Sequence, residues 1–259
     1  MNVLSLSYGK DSLACLGACE QLGIKIDRVV HAEVWATDTI PADLPPMVEF
    51  KKKADKIIKE RYGIEVEHIR AKRTYEQCFY MIVGEHKRKA KSKNAGLIYG
   101  FPYQRGQWCN SRLKVSLLNR LFGTHLVGIA ADEPNRFSVL NKRKRSPLVE
   151  AGWTESMCRK WCEENDLLSP IYTTATRGGC WFCHNQGVDQ LRLLRKNYPE
   201  LWALLLKWDK DSPVTFKPDG HTVHDFDRRF EAEDKGLIIP GDRKFRWSQI
   251  DGEVQIKFF

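Results

Sequence analysis

Residues 3–12 constrain this chain more than any other stretch. Val3-Leu4-Ser5-Leu6 reads as a short buried strand running straight into Ser7-Tyr8-Gly9-Lys10-Asp11-Ser12. Helical periodicity then carries Leu13, Leu16 and Leu22 to a stop at Gly23. A buried strand that turns into a helix within six residues belongs to an α/β sheet. The turn also has a chemical consequence: amides at a helix N-terminus point outward, and the helix dipole favours negative charge in front of them. Gly9 lets the backbone come close to an anion, Ser7 and Ser12 add hydroxyl donors, and Lys10 adds a cation. Asp11 cannot usefully face a phosphate, so it is assigned to bracing the turn or to a metal-linked contact. The residue order is wrong for a Walker A loop.

The pattern continues as strand, helix, strand. Arg28 to Trp35 is a Val-containing strand that ends at Thr37-Asp38. Pro45-Pro46 opens a helix running to about Tyr62 with Gly63 as its stop, and Val66 to Arg70 is a third strand. This alternation calls for a Rossmann-like, doubly wound parallel sheet with right-handed crossovers. Residues 87–108 show little periodicity and several glycines, the mark of a functional loop. Ser111 to Phe122 returns to helix, and His125 to Ala130 is a fourth strand leading to Asp132-Glu133-Pro134-Asn135-Arg136. Beyond Pro147 the chain turns helical and loop-rich: a helix capped by Thr154, a Gly178-Gly179 turn into Cys180, and helices at Val188 to Asn197 and Pro199 to Trp208. The tail from Lys244 to Phe259 alternates around Asp251-Gly252 and reads as a β-hairpin. The expected division is a nucleotide-binding α/β domain over 1–150 and a helical, cysteine-bearing region over 151–259.

Composition narrows the class of protein. No apolar run among the 259 residues approaches the span of a membrane, so no membrane partner is expected. The strand pattern begins at Val3, so no removable leader is expected either. Eight cysteines without a leader suggest a reducing, cytoplasmic setting rather than a disulfide framework. Lys and Arg total 42 against 33 Asp and Glu, a formal charge of +9. That excess suits either a solvated surface or a polyanionic partner such as tRNA or DNA. Lys51-Lys52-Lys53, His86 to Lys93 and Lys142-Arg143-Lys144-Arg145 are its dense runs, each readable as a loop or an exposed helix face.

Several ordered segments together resemble one family. Ser7 to Ser12 resembles the Ser-Gly-Gly-x-Asp-Ser loop of PP-loop proteins, with Tyr8 standing at the first Gly. Pro102, Trp108-Cys109, Arg112 and Lys114, then Gly128 to Arg136 with Ala130 at an Arg position, are similar to segments of the phosphoadenosine phosphosulfate (PAPS) reductase branch. Pro147-Leu148, Ser169-Pro170-Ile171-Tyr172 and Arg177-Gly178-Gly179-Cys180 with Cys183 follow in that branch's order. The resemblance covers residues 1 to about 185. It implies the adenine-nucleotide α-hydrolase type of sheet, with ATP or another adenosine nucleotide and Mg²⁺ over the strands' C-terminal ends. Ser7, Tyr8, Gly9, Lys10, Asp11 and Ser12 would hold the phosphates, and Ala36, Thr37 and Asp38 would lie near adenine and ribose. Lys10, Asp11 and Arg136 would take the catalytic roles.

Cys180-Trp181-Phe182-Cys183 has a spacing at which two thiolates share one metal. By the resemblance, Cys109 joins Cys180 and Cys183 in holding a 4Fe–4S cluster. Cys158 and Cys162, one helical turn apart, offer a zinc alternative with Cys180 and Cys183, and His184 can ligate either metal. Cys15 and Cys19 read as core residues. The resulting expectation is ATP-dependent adenylation and sulfur transfer to a nucleic acid or small acceptor, served by a sulfur-donor or electron-donor protein. Sulfonucleotide reduction and a non-catalytic nucleotide-binding subunit are the alternatives. Against reduction, no cysteine follows Cys183 to serve as the mobile nucleophile.

Overall fold

The computed structural model describes residues 1–84, 94–102, 106–173, 178–242 and 244–250. They divide into two compact units, one of residues 1–77 with 108–180 and one of 78–107 with 181–259. Relative to the expected division at 150, residues 78–107 fall in the second unit and 151–180 in the first.

The first unit is an α/β structure around five strands, all parallel, in the order β3-β2-β1-β4-β5. β1 (Asn2–Ser5) is central, and its Val3 and Leu4 are fully buried. It pairs with β2 (Arg28–Glu33) on one side and β4 (Thr124–Leu126) on the other, so that Leu4 lies between Val29 and Leu126. α1 (Lys10–Leu22) and α2 (Pro45–Tyr62) follow β1 and β2. Gly23 and Gly63 cap them with φ of 65° and 67°, a left-handed conformation that glycine reaches without a Cβ clash. β3 (Val66–Arg70) completes this side of the sheet. The chain then continues through α3 (Tyr75–Phe79), α4 (Trp108–Asn110), a π turn at Ser111–Val115 and α5 (Ser116–Leu118) before it returns to β4 beside β1. The strand order therefore reverses between β1 and β4, and open sheets of this kind take ligands in the crevice beyond the strand ends at such a reversal.

Four local expectations are corrected. The second strand stops at Glu33 rather than Trp35, and the fourth stops at Leu126 rather than Ala130. Past Leu126 the backbone passes directly over the start of α1, where a Cβ on Gly128 would lie 2.6 Å from Ser12 N. The helix expected over 111–122 begins at Trp108, contains the π turn and ends at Leu118. The basic run at 142–145 contributes an edge strand, β5 (Lys144–Arg145), instead of a loop or helix face. α1 packs against α6 (Pro147–Ala151) and α7 (Glu155–Glu164). Gly17 makes that contact possible: a Cβ there would meet the Trp161 indole at 2.4 Å.

In the second unit, α8 (Val188–Asn197), α9 (Pro199–Asp211) and α10 (Val223–Asp234) pack together. An aromatic cluster fills it, with Trp181 stacked on Trp208 and Phe79 edge-on to Phe101. Arg192 and Arg229 share the buried Glu233. Of the expected C-terminal hairpin, residues 248–250 form a helical turn and not a strand, while 251–259, with its Asp-Gly, lie outside the described residues. So do Arg177 and, of the irregular stretch at 87–108, residues 87–93 and 103–105. No helix among the described residues is long and apolar enough to cross a membrane.

Candidate functional site

A cavity of about 670 Å³ opens in the first unit over the loop at residues 7–12. The loop is knitted from within. Ser12 Oγ accepts from Ser7 N at 3.1 Å and from Ser7 Oγ at 3.0 Å, and donates to Gly9 O at 2.9 Å. Ser12 is thus a brace whose proton is already committed, rather than the free donor its motif suggested. Gly9 caps α1, and no protein acceptor takes the amides of Gly9 or Asp11 among the described residues. Donors left open at a helix N-terminus are the physical requirement for an anion site.

Tyr8 explains how the loop tolerates a side chain where the resembling family has glycine. Its φ is +57°, a left-handed conformation that disfavours most L-residues, so the side chain must compensate for the backbone. The ring is 1% exposed and meets His31 edge-on at 4.8 Å between centroids. The hydroxyl donates to Asp55 and lies 3.2 Å from His68 Nε2. Burial first, then Asp55, pushes the phenol's pKa far up, so it stays a donor. Tyr8 borders the cavity, but its hydroxyl is committed to the protein interior and not to an incoming phosphate.

Beneath Tyr8 runs a chain of polar groups. His31 Nδ1 donates to Leu6 O at 2.8 Å, which leaves Nε2 to accept from Lys51 Nζ at 2.9 Å. Burial, then the neighbouring Lys51 charge, drives the His31 pKa down to about 3, so the ring is neutral. Lys51 also donates to Asp43, and His31, Asp43 and Lys51 all line the cavity. Sequence reasoning missed these three residues. A signal existed: Lys51, Ala54 and Ile58 share the buried face of α2 at helical spacing, which separates Lys51 from the solvated Lys52 and Lys53.

The expected catalytic residues meet at the cavity. Lys10 Nζ contacts Asp11 Oδ1 at 2.7 Å and Glu155 Oε2 at 2.9 Å. Burial works against the ammonium, but the two carboxylates outweigh it and the Lys10 pKa is raised. Asp11 is raised as well, because burial exceeds the relief from Lys10. Arg136 is held by both oxygens of Glu133, at 2.8 and 2.9 Å, and Glu133 also accepts from Ala130 N. Tyr172, from the Ser169-Pro170-Ile171-Tyr172 segment, accepts from Lys10 N at 3.0 Å.

Ala36, Thr37 and Asp38 are not among the cavity-lining residues. Ala36 N and Thr37 N both bond Ile40 O, Thr37 Oγ1 accepts from Ile40 N, and Asp38 accepts from Gln77, so they close their own turn. Cys180 lines the cavity, and Cys109, Cys180 and Cys183 are half-buried. Among the described residues no three His, Cys, Asp or Glu side chains come together as metal ligands. Cys158 and Cys162 sit in the core with Cys15 and Cys19. Burial raises the Cys158 thiol to about 12 and pushes Cys162 up further, and Cys162 donates to Lys10 O at 3.3 Å. Comparison with protein-family models, curated proteins and solved structures finds no match for the chain.

Proposed function

We propose that this chain is a PP-loop enzyme of the PAPS reductase type. In this reading it binds ATP, or another adenosine nucleotide, with the phosphates over residues 7–12 and activates an acceptor for sulfur transfer. One observation carries the reading: the loop between β1 and α1 lies at the reversal of strand order and borders a cavity, with open helix-terminal amides and Lys10 beside it. Charge development at the α-phosphorus is where such donors act. An acceptor oxygen bonds to that phosphorus, the bond to the bridging oxygen breaks, and pyrophosphate leaves with the electron pair. Lys10 and the loop amides stabilise the added charge in a site already oriented for it. The outer sulfur of a donor protein's persulfide then bonds to the activated carbon as AMP leaves, and a second thiol of that donor cleaves the S–S bond, forming the donor's disulfide and leaving the sulfur on the acceptor.

For Lys10 to reach a phosphate, one of its carboxylates must yield, and Glu155, whose side chain is 49% exposed, is the more readily hydrated of the two. Mg²⁺ is commonly held by one or two carboxylates together with phosphate oxygens, and Asp11 and Glu155 are groups of that kind. Cys180 lines the same cavity. The excess of basic residues suits tRNA or DNA as acceptor, with a small molecule as the alternative.

The test is calorimetric binding of ATP, AMP and PAPS, followed by pyrophosphate release from ATP with nucleic acid present. Binding with pyrophosphate release is expected. Binding without turnover would make the chain a nucleotide-binding subunit, and thioredoxin-dependent sulfite release from PAPS would make it a reductase. Absence of binding by all three nucleotides overturns the reading.

A further inference from the structure

The amide of Lys10 is the first donor of α1 and one of the groups that give a helix N-terminus its positive character. It does not face an empty cavity, because Tyr172 Oη accepts it at 3.0 Å. The phenol fills the space that Gly9 leaves over the loop, since a Cβ on Gly9 would lie 3.3 Å from that oxygen. The arrangement is firmly built. Tyr172 belongs to the 3₁₀ turn Pro170–Thr173, its amide bonds Ser169 O at 3.1 Å, and the turn packs against α2. Ser169 itself is 1% exposed and its hydroxyl lies 2.9 Å from Met47 Sδ. From the other side, the Cys162 thiol bonds the carbonyl of Lys10, so the first helical residue is clamped at both its donor and its acceptor.

A hydroxyl carries one proton and two acceptor sites. The Tyr172 oxygen uses an acceptor site on Lys10 N, and its proton meets no acceptor among the described residues, while the side chain lines the cavity. Burial raises the Tyr172 pKa, which keeps that proton in place at neutral pH. An oxygen that accepts from a helix-terminal amide becomes a stronger donor, because hydrogen bonds in a chain polarise one another.

We propose that the Tyr172 hydroxyl binds the phosphate of the ligand, relaying the Lys10 amide to a non-bridging phosphate oxygen, so that the anion sits one hydroxyl farther out than in a loop open at that amide. The proposal rests on the nucleotide reading above and adds a specificity-determining residue to it. The bond is between a neutral donor and a charged acceptor, so its loss weakens binding by about tenfold or more.

Calorimetry on wild type, Tyr172→Phe and Tyr172→Ala tests it with three probes: ATP, inorganic tripolyphosphate and adenosine. Both variants are expected to bind ATP and tripolyphosphate at least about tenfold more weakly, with adenosine binding unchanged. The adenosine arm separates a lost phosphate contact from a collapsed pocket, because collapse would weaken all three probes. Equal or tighter ATP binding by Tyr172→Phe or Tyr172→Ala overturns the proposal, since Tyr172 would then be a bystander or a plug over the loop. A wild type that binds tripolyphosphate but no nucleotide, with the same Tyr172 dependence, removes the nucleotide reading and sustains the Tyr172 contact. A wild type that binds neither anion overturns both.

Discussion

Two lysines line the same cavity, and each is surrounded in a different way. The side chains of Lys10 and Lys51 are each only 10% exposed, and each ammonium holds an aspartate. Lys51 completes its set with His31, whose neutral ring is locked in one tautomer by Leu6 O. Lys10 completes its set with Glu155, a half-exposed carboxylate at the start of α7. Each lysine leaves behind a partly buried aspartate, but releasing Lys51 also strips a buried imidazole of its donor, whereas releasing Lys10 returns the half-exposed Glu155 to water. Burial alone therefore does not mark a ligand-binding cation. The ease with which its partners can be exchanged does, and on that criterion Lys10, rather than Lys51, is the group to which the proposed nucleotide reading assigns the phosphate.

The largest effect expected from this contrast is in the pH dependence of stability. The folded-state pKa of His31, about 3, lies below the ordinary value near 6.5. As pH falls, the unfolded chain takes up that proton first. The stability that His31 contributes is therefore complete above about pH 6.5 and declines towards about pH 3, by up to about 1.4 kcal/mol per unit and on the order of 4 kcal/mol in all. Denaturant titrations across this window should show the slope, and His31→Gln should flatten it. A wild type with flat stability between pH 6 and about 4 would mean that the Lys51 side of the cavity is wetter than its hydrogen bonds indicate.

Next in size is Lys51→Met. Removing one member of a buried ionic set leaves the other charge uncompensated, so a stability loss of about 3 kcal/mol is expected, with little change in the ATP affinity of the folded protein. Lys10→Ala should behave in the opposite sense, weakening ATP binding by roughly 2 kcal/mol while costing less stability than Lys51→Met, because Glu155, one of its two carboxylates, is half-exposed. Thermal melts and calorimetry on the two variants sharpen the comparison. If Lys51→Met abolished ATP binding while melting normally, the assignment of roles to the two lysines would be reversed.

The elements that could be read in advance are those with local punctuation. α2 runs from Pro45 to Tyr62 as expected, since proline at the first turn and a left-handed glycine after the last are signals within the element itself. β3 spans Val66–Arg70 and α8 Val188–Asn197, also as read. β5 was illegible because Lys144 and Arg145 have no strand character of their own and pair only because β4 lies beside them. α10 went unread, although Thr222 and Asp225 form a capping box at its start. At the site, the loop at 7–12 was evident from its motif, while the partners that orient it were not. Tyr8 reaches Asp55 across 47 residues, and Lys10 reaches Tyr172 across 162.

By itself, the sequence determined the strand–loop–helix at the N-terminus, the parallel α/β sheet it implies and the ends of locally capped helices such as α2. All of these depend on interactions within a few residues, which composition and spacing record directly. Only the tertiary structure decided which lysine of the 51–53 triplet turns inward, which serine hydroxyl is already committed and which tyrosine covers the loop. Those outcomes depend on the partner that packing brings to each polar group. A donor's value to a ligand is set by whether the folded protein has already satisfied it.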